Sequence, residues 1–227
     1  MAFVKNAKDI AREAMDVINP SLSDKYASVI HFLSTHPETA AALRGTSAPT
    51  IGSEDYVRRQ ASAFSLSREV RAPKPPNTVP DEMVSVILIS YFDIDKADTE
   101  RIKREHLLSM GAENLVGDLQ ERYLTFVMEP KGWIWCSGAM VKAVDFIKPP
   151  ISPTADWQLL QVKNRDNSEN SSSSAIRIGT KIEKWHRTFS KKAGSNWSAF
   201  PDEQLRSLLN EKGFKRFVET YLKNLRQ

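Results

Sequence analysis

The spacing of apolar positions changes along this chain, and the change divides it. Up to about residue 130, hydrophobic side chains recur every three or four positions, as in Tyr26, Val29, Ile30 and Leu33. That period lays them on one face of an amphipathic helix. It predicts helices over 5–18, 22–35 and about 54–67. Asn19-Pro20 separates the first two, because proline has no N–H and disfavours helix in the residue before it. RAPKPPNTVP (71–80) reads as an extended connector or a proline-rich ligand segment. Helices resume over 81–91, near 99–109, and through AENLVGDLQERYLTFV, where Leu115, Leu119, Tyr123 and Phe126 mark one face. Gly117 and Glu121 lie one turn apart on a neighbouring face.

From Gly132 the period shortens. GWIWC, VKAVDFI and WQLLQVK are short runs rich in aromatic and β-branched residues, separated by Gly, Ser and Pro. They predict a meander of three antiparallel strands. AIRIGTKIEKWHRTF (175–189) returns to helical spacing, and two helices close the chain from Asp202. The expected fold class is mixed α/β (α+β): a β-sheet flanked by helices, with a helical N-terminal lobe. Residues 1–70 would form that lobe and 71–227 the core, unless the two are one continuous domain.

Composition narrows the class. With 41% hydrophobic and 26% charged residues, the 227-residue chain is an ordinary globular protein. A single cysteine, Cys136, excludes an internal disulfide and a cysteine-rich zinc site, so a reducing, cytoplasmic setting is expected. The opening MAFVKNAKDIAREAM reads as an amphipathic helix of mixed charge and not as a signal peptide. The most apolar run, VSVILISYF, is about half the length of a membrane span. The net charge is only +4, but eight Lys/Arg face three acids between Lys163 and Lys192. A local basic excess of that kind is either a phosphate-binding stripe or a solvated face.

The two polar interruptions of the strands carry the chemistry. Side chains alternate along a strand, so Gln161 and Lys163 point one way and Val162 the other. A hairpin centred near Pro153 would bring Asp145 beside both. A carboxylate and an ammonium within paired apolar strands are costly unless they meet each other or a metal. One reading is therefore a structural Asp145–Lys163 salt bridge. The other is a metal-dependent phosphodiesterase, in which Asp145 gives an oxygen to Mg²⁺ and the Val162 carbonyl adds another. Lys163 would then stabilise charge developing at the phosphate. Gln161 stands where such sites often carry a second acid, so a further carboxylate is needed, and Glu121 is the candidate. Asp156, at a strand start, is the runner-up ligand. The four histidines show no metal-ligand spacing, and no glycine-rich phosphate loop is present.

VDFI followed after a hairpin by LLQVK resembles the Asp…(Asp/Glu/Gln)-x-Lys signature of the PD-(D/E)xK nuclease superfamily. QVKNRDNSENSSSSAIR, GTKIEKWHR and SNWSAFP, with REVRAPKPPNTVPDEM and NLVGDLQERYL, are more specific and resemble the SinI-type type II restriction endonucleases. The resemblance spans about residues 55 to 205. It implies Mg²⁺-dependent double-strand cleavage of DNA within the pseudo-palindrome GGWCC, and a cognate DNA methyltransferase that protects the host. A palindrome read by one kind of chain would call for a homodimer. The resemblance assigns Asp145, Gln161 and Lys163 to the catalytic motif, with Glu121 as the helix acid.

In that light the residues after Lys163 are candidates for DNA contact. Asn164, Asn167, Asn170 and Ser171, Ser172, Ser173 and Ser174 offer compact donors to phosphates and base edges, or cap a following helix. Arg165 and Arg177 suit guanine, whose O6 and N7 accept a bidentate guanidinium. Lys184 and Arg187 extend the basic stripe, and Ser195 and Asn196 form a second candidate reading loop. Trp185 and Trp197 are expected in the core. Two other functions remain open: a structure-specific repair or resolvase nuclease, and a non-catalytic DNA-binding module in which Asp145 and Lys163 merely pair.

Overall fold

A computed structural model describes residues 2–152, 154–166 and 180–226. The chain opens with three helices, α1 (Ala7–Ile18), α2 (Ser23–Thr35) and α3 (Glu54–Leu66). The break at Asn19-Pro20 is where the pattern placed it, and Asn19 Oδ1 accepts a hydrogen bond from the Ser21 N–H at 3.2 Å. Ser53 Oγ accepts the Tyr56 N–H at 3.2 Å, satisfying one orphan donor at the start of α3. The apolar faces meet in one core holding Met15, Tyr26, Ile30, Phe64 and, from the sheet, Ile147 and Ile182. Each large side chain removed from water there contributes about 1.5–3 kcal/mol.

Residues 70–81 have no regular structure, as the prolines predict. Arg122 tethers the start of this connector through the carbonyls of Ser67, Arg68 and Glu69 at 3.0, 2.9 and 2.6 Å. It also pairs with Asp118 at 2.7 Å. The connector leads to α4 (Glu82–Ser90), capped by Asp81, and then to α5 (Thr99–Met128). The two helices expected over 99–127 are one helix of 30 residues. Gly111 does not interrupt it. A Cβ there would sit 2.9 Å from Pro75 Cα, so the missing side chain is what lets the connector lie against α5.

The sheet has four strands in the order β1 (Ile134–Trp135), β2 (Phe146–Lys148), β3 (Gln158–Arg165) and β4 (Ile182–Thr188). β1–β2 and β2–β3 are antiparallel, and Phe146 pairs with Leu160, the register expected. β4 corrects the sequence reading: residues 182–188 are a strand parallel to β3, not a helix. Ile182 and Trp185, three apart, imitate helical spacing. The free edge of β3 decides the conformation, because its N–H and C=O groups need a ladder partner. Trp185 is buried beside Val162 and lies 4.9 Å, ring to ring, from Trp197, so both tryptophans are core residues.

Two helices close the chain as expected, α6 (Glu203–Arg206) and α7 (Glu211–Asn224). Leu115, Leu119 and Tyr123 of α5 form a second core with Leu160, Val162 and Trp185 of the sheet and Phe214 of α7. The sheet is thus packed on both faces. No helix among the described residues is long and apolar enough to cross a membrane.

Candidate active site

Asp145 immediately precedes β2 and completes its ladder. Its N–H donates to the Leu160 carbonyl at 2.9 Å, and its Oδ2 accepts the Val162 N–H at 2.7 Å. A carboxylate oxygen therefore replaces the backbone acceptor that a longer β2 would have supplied, and the carboxylate is locked against β3. Two residues earlier, Ala143 holds a left-handed φ of +58°, a conformation uncommon for any residue with a Cβ. That turn aims Asp145 inward.

Across from it, α5 presents Gln120 and Glu121. Gln120 Nε2 donates to the Lys163 carbonyl at 3.2 Å, fixing the strand under the helix. Glu121 Oε2 accepts the Trp135 indole N–H at 2.8 Å. Glu121 and Trp135 line a cleft of about 720 Å³ together with Asp145, Gln161 and Lys163.

The electrostatics of the cleft are unusual. Burial, and then the charge of Asp145, push the Glu121 carboxyl up to about 8, despite the indole hydrogen bond and Lys163. Burial also raises Asp145, against the pull of the Val162 N–H and Lys163. Two carboxylates that each resist ionisation for lack of solvent are a site short of positive charge. Gln161 is 2% exposed and its Oε1 has no hydrogen-bond partner. A buried amide oxygen without a donor carries a desolvation penalty of about 1–3 kcal/mol, which a ligand in the cleft would relieve. Among the described residues, no ion pair within 4.0 Å joins Asp145 to Lys163. The structural salt bridge allowed by the sequence is absent.

The donor set also bears on the metal. No group of three or more His, Cys, Asp or Glu that could hold an ion exists among the described residues. Two carboxylates and one amide oxygen are instead the incomplete, all-oxygen set suited to a hard cation that keeps several waters. Asp156, the runner-up ligand, lies outside the cleft: it is exposed and paired with Lys181.

A match to a family model places the chain. The model is that of the SinI restriction endonuclease, and it covers residues 7–224. The chain belongs to the SinI restriction endonuclease family. Two curated members are close in sequence along nearly the whole length. The type II restriction enzyme Eco47I of Escherichia coli is 52% identical over 222 residues, 97% of this chain and 96% of its own. The type II restriction enzyme SinI of Salmonella infantis is 50% identical over 225 residues, 99% and 97%. As a SinI-family member this is a restriction endonuclease, an enzyme that acts on DNA.

The structure divides the expected DNA-contacting residues of this family member. In a parallel pair, register partners share a face. Gln161 is beside Lys184 and Lys163 beside His186, so these four share the cleft side, as does the exposed Arg165 at the end of β3. Asn164 and Arg187 belong to the other side. Arg187 donates twice to Asn164 Oδ1, at 3.1 and 2.9 Å, and pairs with Glu211 at 2.5 Å. Its guanidinium lies over the Phe214 ring. The Asn196 side chain donates to the His186 carbonyl at 3.1 Å, and Ser195 bridges to Thr188. Asn167, Asn170, Ser171, Ser172, Ser173, Ser174 and Arg177 lie outside the described residues. Sequence reasoning missed Trp135 and Gln120, which position Glu121 and Lys163. Trp135 carried a signal, a tryptophan in a short strand next to the expected site. Gln120 carried only its place beside Glu121.

Proposed function

We propose that the protein is a type II restriction endonuclease making Mg²⁺-dependent double-strand cuts at GGWCC, where W is A or T. The observation that supports a catalytic cleft is the convergence of Glu121, Asp145, Gln161 and Lys163, with two electrostatically strained carboxylates and an unsatisfied amide oxygen. The site sequence rests on the resemblance of the extended motifs.

Asp145 and Glu121 would hold the cation, with Gln161 Oε1 and the Val162 carbonyl as neutral oxygens beside them. Bound there, Mg²⁺ supplies Lewis-acid polarisation of the phosphate and lowers the pKa of water. Lys163 places its ammonium on the same side and stabilises the negative charge that builds on the phosphoryl oxygens as water attacks phosphorus. Gln120 and Trp135 hold Lys163 and Glu121 in place for that step. Arg165 and Arg177 are the candidates for the guanines, and Lys184 for the backbone. A·T and T·A present the same acceptors in the minor groove, which accounts for a central W read there.

A palindrome read by one kind of chain calls for two-fold symmetry, so each protomer of a homodimer would read one half-site and cut one strand. A DNA methyltransferase of matching specificity would protect the host, and the setting would be cytoplasmic. Digestion of a plasmid of known sequence with Mg²⁺, followed by sequencing of the ends, tests the reading. Every end should fall in GGWCC, and cutting should vanish with EDTA. DNA left intact across a series of divalent metals, or ends at unrelated sequences, would sink it.

A further inference from the structure

Of the eighteen exposed large hydrophobic side chains among the described residues, ten lie between Val79 and Met110. They belong to α4, its flanks and the first half of α5. α4 is apolar on every side and buries no residue. A helix hydrophobic all round is at rest only when covered all round, and here α5 covers one side. Val84 and Leu88 face α5, while Met83, Val86 and Ile87 are 56%, 49% and 54% exposed on the other sides. α5 itself buries nothing between Glu100 and Met110, so the pair projects from the body as an arm.

We infer that this arm is a dimerisation surface whose occupant is the same arm of a second copy. Three observations select that occupant. The first is area. Ten large apolar side chains more than a third exposed, at on the order of 100 Å² each, amount to roughly 1,000 Å². That exceeds the ~300–600 Å² of a typical monomer's largest apolar patch, and it matches the ~800 Å² per partner of a stable interface.

The second is self-complementarity. α4 and α5 enclose an apolar groove of about 460 Å³ lined by Val84, Leu88, Ile102, Leu107 and Met110. The outer face of α4 is a ridge of the same chemistry. One chain thus carries both ridge and groove, as an isologous interface requires, and two arms would close into a four-helix bundle.

The third is charge. Arg101 is paired with Asp98 and Glu105, and Lys103 with Glu100, all within the arm. These two cations are satisfied in place. Although Lys96 and Arg104 make no ion pair among the described residues, the apolar ridge itself offers nothing to a phosphate backbone. The inference rests on the cleavage reading only in that a two-strand cut needs two clefts. α5 carries both the arm and Glu121, about 24 Å along the helix from Glu105, so pairing the arms would also set the two clefts relative to each other.

Sedimentation velocity of the full chain without DNA, over a concentration series, tests it. The wild type should dimerise. Ile87→Glu, an exposed position, should keep the wild-type circular dichroism spectrum and weaken the dimer on the order of 100-fold, because it buries an unpaired carboxylate. Cys136 is buried, so Ile87→Cys provides the accessible thiol, and a flexible bis-maleimide should join two chains through it. A wild type that stays monomeric overturns the inference. So does an Ile87→Glu dimer as tight as wild type, or an Ile87→Cys dimer that does not cross-link. The two readings fail separately. A monomer that cuts GGWCC leaves the cleavage reading standing, and an Ile87→Glu-sensitive dimer without nuclease activity leaves the arm standing.

Discussion

The two sides of the β3–β4 ribbon are built from the same short stretches of chain and do opposite work. On one side Leu160, Val162 and Trp185 pack into the aromatic core, and Asn164 and Arg187 satisfy each other. On the other side Gln161 has an orphaned oxygen, Lys163 has no carboxylate within ion-pair distance among the described residues, and both face strained acids. From Gln161 onward residue parity separates the closed side from the open one. At the start of the ribbon, Leu159 and its register partner Ile182 lie on the same side as Gln161 and yet pack into the first core. A basic or amide side chain after the Gln-x-Lys pair is therefore not evidence of DNA contact until its parity is counted.

Substitutions on neighbouring residues test that division. Lys163→Ala should lower cleavage on the order of 10³-fold, equivalent to about 4 kcal/mol of transition-state stabilisation, with the melting temperature nearly unchanged. Single-turnover cleavage beside a thermal melt reads both; a large loss of stability would mean that Lys163 is structural. Leu160→Ala, three residues away and on the closed side, should do the reverse. It should destabilise by about 3 kcal/mol in a denaturant titration and leave the cleavage rate per folded molecule intact. Asn164→Ala removes the acceptor of the Arg187 guanidinium and should cost about 1–2 kcal/mol of stability, without changing which sequence is cut. Altered sites in the digest of that variant would move Asn164 to the reading surface.

The smallest effect concerns pH. The folded protein holds Glu121 near 8, above its ordinary 4.5, so its neutral form is favoured without metal. The stabilisation this gives is complete at low pH and is lost as pH rises through about 8. In EDTA the melting temperature should fall by a few degrees from about pH 5 to about pH 8, and Glu121→Gln should flatten the slope. Mg²⁺ should restore stability at the alkaline end, because it favours the ionised pair. A slope unchanged in Glu121→Gln would show that another group sets it.

Much of this was legible in the residues. The first three helices, the break at Asn19-Pro20 and the Phe146–Leu160 register followed from apolar spacing and proline chemistry. The same spacing misled at Ile182 and Trp185, because an edge looking for a ladder outweighs a weak local period. It also split α5 at Gly111, where the glycine serves a neighbouring segment and not a turn. In the cleft, Asp145, Gln161 and Lys163 announced themselves as polar residues in apolar strands. Glu121 looked like any helical acid, since its burial depends on Trp135 and Asp145, which reach it only in three dimensions.

The unbroken course of α5 also bears on how the chain can change. One residue added between Met110 and Leu119 would rotate everything beyond it by about 100° and advance it by about 1.5 Å. Glu121 would then leave the cleft even though no residue of the cleft had been altered. Length here is quantised. Insertions of about seven or eleven residues nearly restore the phase, whereas the connector over 70–81, which has no regular structure, carries no such constraint.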